Sequence, residues 1–228
     1  MNCCSICKGI GFIPVEDNTG HIRYSPCKCR EIAKAQRIWE QSGININDIN
    51  KSFTNFEVWN NQAKVMKDKA ISYYINFNNI KHNRYNSILL CGNSGCGKTH
   101  LSLALANNLL KNKKVAVMYF PYRDVITKLK QNITDKEYYK KTLNKYKNAE
   151  VLLIDDLFKG KINDTDINIM FEIVNHRYLN LYPMIISTEF TVDKLLYFDE
   201  AIGSRIYEMA KKHICQIHGS SNNYRMKE

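Results

Sequence analysis

Proline and glycine are scarce, 4 and 10 among 228 residues, which excludes a collagenous chain or a Pro/Gly-rich low-complexity one. Long hydrophobic runs are missing too. No stretch of about 18 uncharged apolar residues occurs, so no membrane-spanning helix is expected. Met1–Lys8 is polar and Cys-rich and offers no apolar segment of a secretory signal. The expected compartment is therefore the cytoplasm. Acidic residues are outnumbered, 22 against 33 Lys and Arg, leaving a net charge of +11. What is present is an ordinary globular composition, 44% hydrophobic, which excludes a wholly disordered chain. At roughly 150 residues per domain, the length fits one full domain with a small appendage.

The positive charge is concentrated. Residues 1–50 are nearly balanced, whereas Lys111–Lys147 holds eleven basic and three acidic residues. Such a segment suits a polyanion such as nucleic acid, or is a solvated Lys-rich face. Tyr119, Tyr122, Tyr138, Tyr139 and Tyr146 are interleaved with it and could stack bases or fill the core. Period alone does not separate the two readings.

Five of the eight cysteines lie in the first 29 residues. In a reducing cytosol a disulfide framework is not expected, and clustered thiols point to metal. Cys4-Ser-Ile-Cys7, then Cys27-Lys-Cys29, supplies four thiolates, a set that suits tetrahedral Zn²⁺. Cys3 could replace Cys4, and His21 could replace one thiolate; an iron–sulfur cluster and free thiols are the alternatives. A helical period follows over Arg30–Gln41 (Ile32, Ala35, Ile38, Trp39), stopped by Ser42-Gly43. Ile44–Asn55 is rich in Asn and Asp and reads as a linker, with a domain boundary near residue 50.

Ser87–Cys91 is a short apolar run fit for a buried strand. It leads into Gly92-Asn-Ser-Gly-Cys-Gly-Lys98-Thr99, which is G-x4-G-K-T between a strand and a helix, the context a P-loop requires. Backbone N–H groups of Gly92, Asn93, Ser94, Gly95, Cys96 and Gly97 would wrap a phosphate, helped by the N-terminus of the helix Thr99–Leu110. Lys98 would reach the β- and γ-phosphates of ATP, Thr99 would coordinate Mg²⁺, and His100 adjoins them. A second strand, Lys114–Phe120, is stopped by Pro121, and helices are expected over 122–133 and 135–148. Val151–Ile154 then ends in Asp155-Asp156, the Walker B pattern. Asp155 would hold Mg²⁺ and Asp156 would orient or deprotonate water. The strand Tyr182–Ile186 ends in Ser187-Thr188-Glu189, polar residues at the tip where α/β sheets bind ligands. Gly203-Ser-Arg205 reads as a polar break between helical segments.

In this order and spacing, these motifs resemble an AAA+ ATPase of the DnaC/DnaI helicase-loader type, related to the initiator DnaA. The resemblance covers essentially the whole chain. It implies an α/β AAA+ P-loop NTPase with a central parallel sheet over 51–228, preceded by a small Cys-rich zinc-binding domain over 1–50. It also implies ATP hydrolysis with Lys98, Asp155, Asp156, Glu189 at the sensor 1 position and Arg205 as an arginine finger acting on a neighbouring subunit. His218–Arg225 looks like the family's closing G-x-S-x-R element, with Arg225 sensor 2-like. Partners implied are single-stranded DNA, a hexameric replicative helicase contacted by the zinc domain, and further copies of the chain; no membrane is involved. Asp156 stands where many AAA+ members have Glu, which suggests slow, switch-like hydrolysis. An IstB-type transposition helper shares the AAA+ core. A small-molecule P-loop kinase, with its loop near the start of the chain, and a zinc-binding scaffold fit the motifs less well.

Overall fold

The computed structural model of the chain describes residues 4–16, 21–40, 50–217, 219 and 222–226, with backbone alone at 35, 36, 38 and 39. Cys3, the Ser42-Gly43 stop, residues 44–49 of the expected linker, and His218, Ser220 and Ser221 of the closing element lie outside the described residues. So do the side chains of Ala35, Ile38 and Trp39. Among the described residues no helix is long and apolar enough to cross a membrane.

Strands β1 (Phe12–Glu16) and β2 (Ile22–Pro26) form an antiparallel hairpin. Every residue in it is exposed except half-buried Ile13. A lone two-stranded hairpin is marginal in water, so something other than a core must hold it. Helix α1 (Lys28–Glu40) follows and lies beside an edge strand of the main sheet.

The main body runs α2 (Asn61–Ile80), β3 (Ile88–Cys91), α3 (Lys98–Lys113), β4 (Val117–Pro121), α4 (Tyr122–Gln131), α5 (Lys136–Lys147), β5 (Val151–Leu157), α6 (Asp164–Leu179), β6 (Met184–Thr188), α7 (Val192–Phe198), α8 (Glu200–Ala210) and β7 (Ile214–Gln216). The five strands pair in parallel, in the order β4-β5-β6-β3-β7. The inner strands are buried almost throughout, and a parallel sheet of that kind needs helices on both faces. Ile88, Leu90, Leu153 and Ile185 pack under α2 and α3. Their neighbours Leu89, Cys91, Leu152, Ile154 and Ile186 point the other way, into α4, α5, α6 and α8. The result is the predicted three-layered α/β fold.

Local chemistry sets the boundaries. Asn60 caps α2 by accepting from Ala63 N–H. Asn163 and Asp166 form a reciprocal capping box on α6, which satisfies two otherwise orphaned donors. β4 starts at Val117 rather than Lys114, because Lys114 takes a left-handed φ of 58° and closes α3 onto Leu109 O. The polar break expected at Gly203-Ser-Arg205 is absent: α8 is continuous through it. A Cβ on Gly203 would sit 2.8 Å from Leu195 O, so the glycine serves close helix approach, not a break.

Arg177 is fully buried. Its Nη1 donates to the carbonyls of Tyr146, Lys147 and Ala149, and its Nη2 to Pro183. A cation there answers the C-terminal end of α5. Burial nevertheless pulls its pKa down to about 9.

Candidate functional site

β3 delivers the chain into the Gly92–Gly97 loop, and α3 leaves it. Gly95 and Gly97 have φ of 78° and 93°, open to glycine without strain. Both are also crowded: a Cβ on Gly97 would meet Phe56 at 2.7 Å, and one on Gly95 would collide with Asn223. Gly97 caps α3 without any side-chain bond, so the first-turn N–H groups are available to an anion. Lys98 is only 5% exposed. Its ammonium folds back to the carbonyls of Gly92 (2.7 Å) and Asn93 (2.9 Å), with Cys96 Sγ at 3.8 Å. A phosphate entering the loop would offer this buried cation a charged partner in place of two neutral ones.

The strand tips supply the acids. Asp155, 6% exposed, accepts from Thr99 Oγ1 (3.0 Å), from Ser187 Oγ, and from the Tyr119 hydroxyl (3.2 Å). Burial pushes its pKa up, and the nearby Asp156 charge adds to that, while the three hydroxyls oppose the shift. Ser187 also accepts from Asp156 N–H at 2.9 Å, so one hydroxyl ties both acids to β6. Ser187 and Thr188 lie inside that strand, buried, rather than beyond its end. Asp156 has φ 55° and Phe158 φ 59°; non-glycine residues in this region store strain of about 1–3 kcal/mol each. Lys159 Nζ lies 2.8 Å from Asp156 Oδ2 and 3.4 Å from Glu189 Oε1.

Ser94, Gly95, Gly97, Lys98, Thr99, Asp156, Lys159 and Glu189 line one cleft of about 430 Å³, while Gly92, Cys96 and Asp155 are not among its lining residues. Sequence reasoning missed its other walls. Phe56, Trp59 and Asn55, from the stretch read as linker and its sequel, line it too. His100 Nε2 lies 3.1 Å from Ser52 O and 3.0 Å from Asn55 Oδ1. Residues 51–55 are thus packed on α3, and the aromatic spacing Phe53, Phe56, Trp59 was the available signal. Tyr224 and Arg225 close the other side. Tyr224 N–H donates to Gly95 O at 3.0 Å, its ring lies 4.9 Å from Trp59, and Asn60 bonds Asn222 at 2.8 Å. Asn93 stands outside the cleft lining and donates to Gly219 O at 3.2 Å. Aromatic rings beside a phosphate loop can stack a purine.

Arg205 is not brought to this cleft. It lies on α8, with Nε on Asn175 Oδ1 (3.0 Å), Nη1 on Ala201 O (2.7 Å) and its guanidinium over Phe171 and Tyr178. Of the interleaved tyrosines, Tyr122 and Tyr146 are core residues, while Tyr119, Tyr138 and Tyr139 are half-buried. Lys111, Lys114, Lys128, Lys136, Lys140, Lys141 and Lys145 are exposed.

In the N-terminal segment, Cys4, Cys7, Cys27 and Cys29 place their sulfurs within 4.8 Å of one another. Cys4–Cys27 and Cys7–Cys29 are 3.8 and 3.4 Å apart. Metal–sulfur bonds of about 2.3 Å in a tetrahedron require sulfurs about 3.8 Å apart, so the set could hold one ion. Lys8, Gly9 and Gly11 have φ of 48°, 93° and 80° and turn the chain so that Gly11 N–H reaches Cys7 Sγ at 3.3 Å. Burial works against the Cys7 thiolate, but N–H groups of Gly11 and Gly9 and the neighbouring thiols bring its pKa down to about 6. Cys29, hydrogen-bonded to Cys7 and Cys27, is pushed up to about 12. Four such thiols ionise together only around a cation. Among the described residues these four thiols form the group, and His21 is not part of it; Cys3, the alternative to Cys4, lies outside the described residues.

The family profile described as IstB-like ATP binding protein matches residues 30–228. The protein YqaM of Bacillus subtilis (strain 168) is 40% identical over 201 residues, covering 85% of this chain and 63% of its own length. The phage-like element PBSX protein XkdC of the same strain is 36% identical over 226 residues, covering 96% of this chain and 83% of XkdC. The chain thus spans somewhat under two thirds of YqaM and most of XkdC. Among solved structures, that of the DnaC helicase loader superposes with a TM-score of 0.68 at 24% identity, over 76% of this chain and 100% of that one. At that identity the likeness shows the fold alone.

Proposed function

The chain belongs to the IstB-like ATP-binding family, and on that footing we propose that it is an ATPase that loads a hexameric replicative helicase onto single-stranded DNA in the bacterial or phage cytoplasm. The loop residues Gly92, Asn93, Ser94, Gly95, Cys96 and Gly97, with Lys98 and His100, hold ATP. Arg225 approaches it from the tail. Thr99 and Asp155 are the residues for Mg²⁺, which neutralises charge on the phosphates. Asp156 accepts the proton of the attacking water as the new O–P bond to the γ-phosphorus forms and the bond to the bridging oxygen breaks, ADP leaving, and Glu189 stands at the sensor 1 position. Asp155 and Asp156 divide the labour by environment, the first buried and triply bonded by hydroxyls, the second half-exposed at the cleft. Arg205 acts across a contact between copies of the chain. The exposed lysines of α4 and α5, with half-buried Tyr138 and Tyr139, suit a DNA backbone.

The observation that carries the loader reading is the four-thiol module set ahead of the ATP cleft. Its residues Ile6, Ile10, Ile22 and Tyr24 are 66–75% exposed. With Zn²⁺ on Cys4, Cys7, Cys27 and Cys29, it presents a rigid apolar surface to the helicase. A loading assay on circular single-stranded DNA tests this. The chain with ATP is expected to raise helicase on the circle, and Lys98→Ala to abolish the gain. No gain with the wild-type chain would reject the reading.

The family description itself favours a second reading, an IstB-type transposition helper. Such a chain would assemble on duplex DNA with ATP and bind a transposase, leaving the helicase untouched.

A further inference from the structure

Lys159 is a cation that the nucleotide site, as described so far, leaves without a task. It lines the cleft with Lys98 and Thr99, one side chain bridging Asp156 at 2.8 Å and Glu189 at 3.4 Å. Its position is over-determined. Lys159 N–H closes a turn on Asp156 O at 3.1 Å. The turn runs through two left-handed non-glycine residues, Asp156 and Phe158, and then Gly160 at φ 98°. Phe158 is 2% exposed and is wedged among Tyr122, Phe190 and Phe198 at 4.9–6.1 Å between ring centroids. A strained turn survives only when its surroundings enforce it. Here the buried phenylalanine fixes the turn, and the next residue is aimed back over the acids.

We propose that Lys159 makes this cleft discriminate nucleoside triphosphate from diphosphate, by exchanging its Asp156 and Glu189 partners for the terminal phosphate. The inference rests on the ATPase reading above and names how that site senses its ligand. The geometry supports it in three ways. The acid that positions the attacking water lies beside the γ-phosphate in such sites, so a group bonded to that acid is within reach of the γ-phosphate and remote from the α-phosphate. Lys98 starts from the loop carbonyls of Gly92 and Asn93, whereas Lys159 starts from Asp156 itself, so it is Lys159 that couples the terminal phosphate to that acid. A lysine is a compact charge on a flexible stem and can swing between partners where an arginine fork would hold one. The exchange also frees the Asp156 carboxylate, so that the base is released only when a triphosphate is bound. Without nucleotide, the ammonium keeps the strand-tip carboxylates from standing unopposed.

The test is equilibrium binding, with Mg²⁺, of ADP and of the non-hydrolysed analogue β,γ-methylene-ATP to the full chain. Lys159→Gln is expected to weaken the triphosphate about tenfold or more, the loss of a charged hydrogen bond, and to leave ADP within about twofold. Lys159→Arg should keep most of the preference. Glu189→Gln removes a competitor for the ammonium and should raise the triphosphate preference about two- to fivefold; this second variant carries the test if Lys159→Gln fails to fold. Equal weakening of both nucleotides in Lys159→Gln, or no change, would overturn the proposal while the ATPase reading stands. A wild-type chain that binds neither nucleotide would overturn that reading and this one with it.

Discussion

The four-thiol module and the AAA+ body solve the same problem by opposite means. In the body, strands buried on both faces and two helical layers supply the free energy; a fully buried Leu or Ile side chain contributes about 1.5–3 kcal/mol. In the module, a hairpin with almost no buried side chain is held at one end by four sulfurs. A structural zinc ion on those sulfurs would supply about 10–16 kcal/mol of apparent binding energy at neutral pH, enough to fold what the hairpin alone cannot. The body therefore tolerates an exposed cleft with strained loops, whereas the module spends its apolar residues on its surface, where a partner can reach them.

The sharpest break of this contrast is Cys7→Ser. It should lose the metal and unfold residues 4–16 and 21–26, read as full amide exchange there, while protection in β3, β5 and β6 stays intact. Loss of protection in the sheet as well would mean that the two regions are one cooperative unit. Next in size is Arg177→Met, which takes the guanidinium donor from the carbonyls of Tyr146, Lys147, Ala149 and Pro183, of which Pro183 O keeps Leu152 N–H. It should cost the body about 3–5 kcal/mol in urea unfolding with metal content unchanged. Lys98→Ala should weaken ATP by about 2 kcal/mol, some thirtyfold, in a binding titration, again without touching the metal.

The smallest effect is a stability change of opposite sign. Asp155 has its carboxyl pKa raised by burial, so the folded state holds a proton that the unfolded state has released. Between the ordinary carboxylate pKa and the raised value, stability rises as pH falls. Above the raised value the full cost of the buried charge persists. Asp155→Asn keeps an oxygen for Thr99 and Ser187 and should stabilise the nucleotide-free chain by about 1 kcal/mol near neutral pH. It should also remove that pH window and abolish Mg²⁺-dependent hydrolysis. Urea midpoints at several pH values check the sign.

What the sequence made legible was chemistry carried by contiguous residues. Gly92–Thr99 and Val151–Asp156 announce their strands and their cleft because the motif and its flanking apolar run coincide. The spacing of Cys4, Cys7, Cys27 and Cys29 likewise names the set that the fold gathers. What stayed hidden depends on distant partners. Phe56 and Trp59 follow directly on the Asn-rich stretch that reads as a linker, and only α3 placed beside them shows their packing. Tyr119 reaches Asp155 only across the β4–β5 pairing. Lys159 meets Glu189 only because β6 lies next to β5. The Gly203 misreading has the same origin, since a glycine that ends a helix and one that admits a neighbour look alike in a single sequence. Tyr122 and Tyr146 show it again, the two of five interleaved tyrosines that the core claimed.

The central claim is that ATP in the cleft and metal in the module together hold a helicase. Native mass spectrometry of the full chain with its cognate hexameric helicase, with and without ATP and Mg²⁺, tests it most directly. The account predicts a complex of several copies of this chain per hexamer, each copy carrying one zinc, and stable only with nucleotide. A chain that binds zinc and ATP yet leaves the hexamer bare would contradict it.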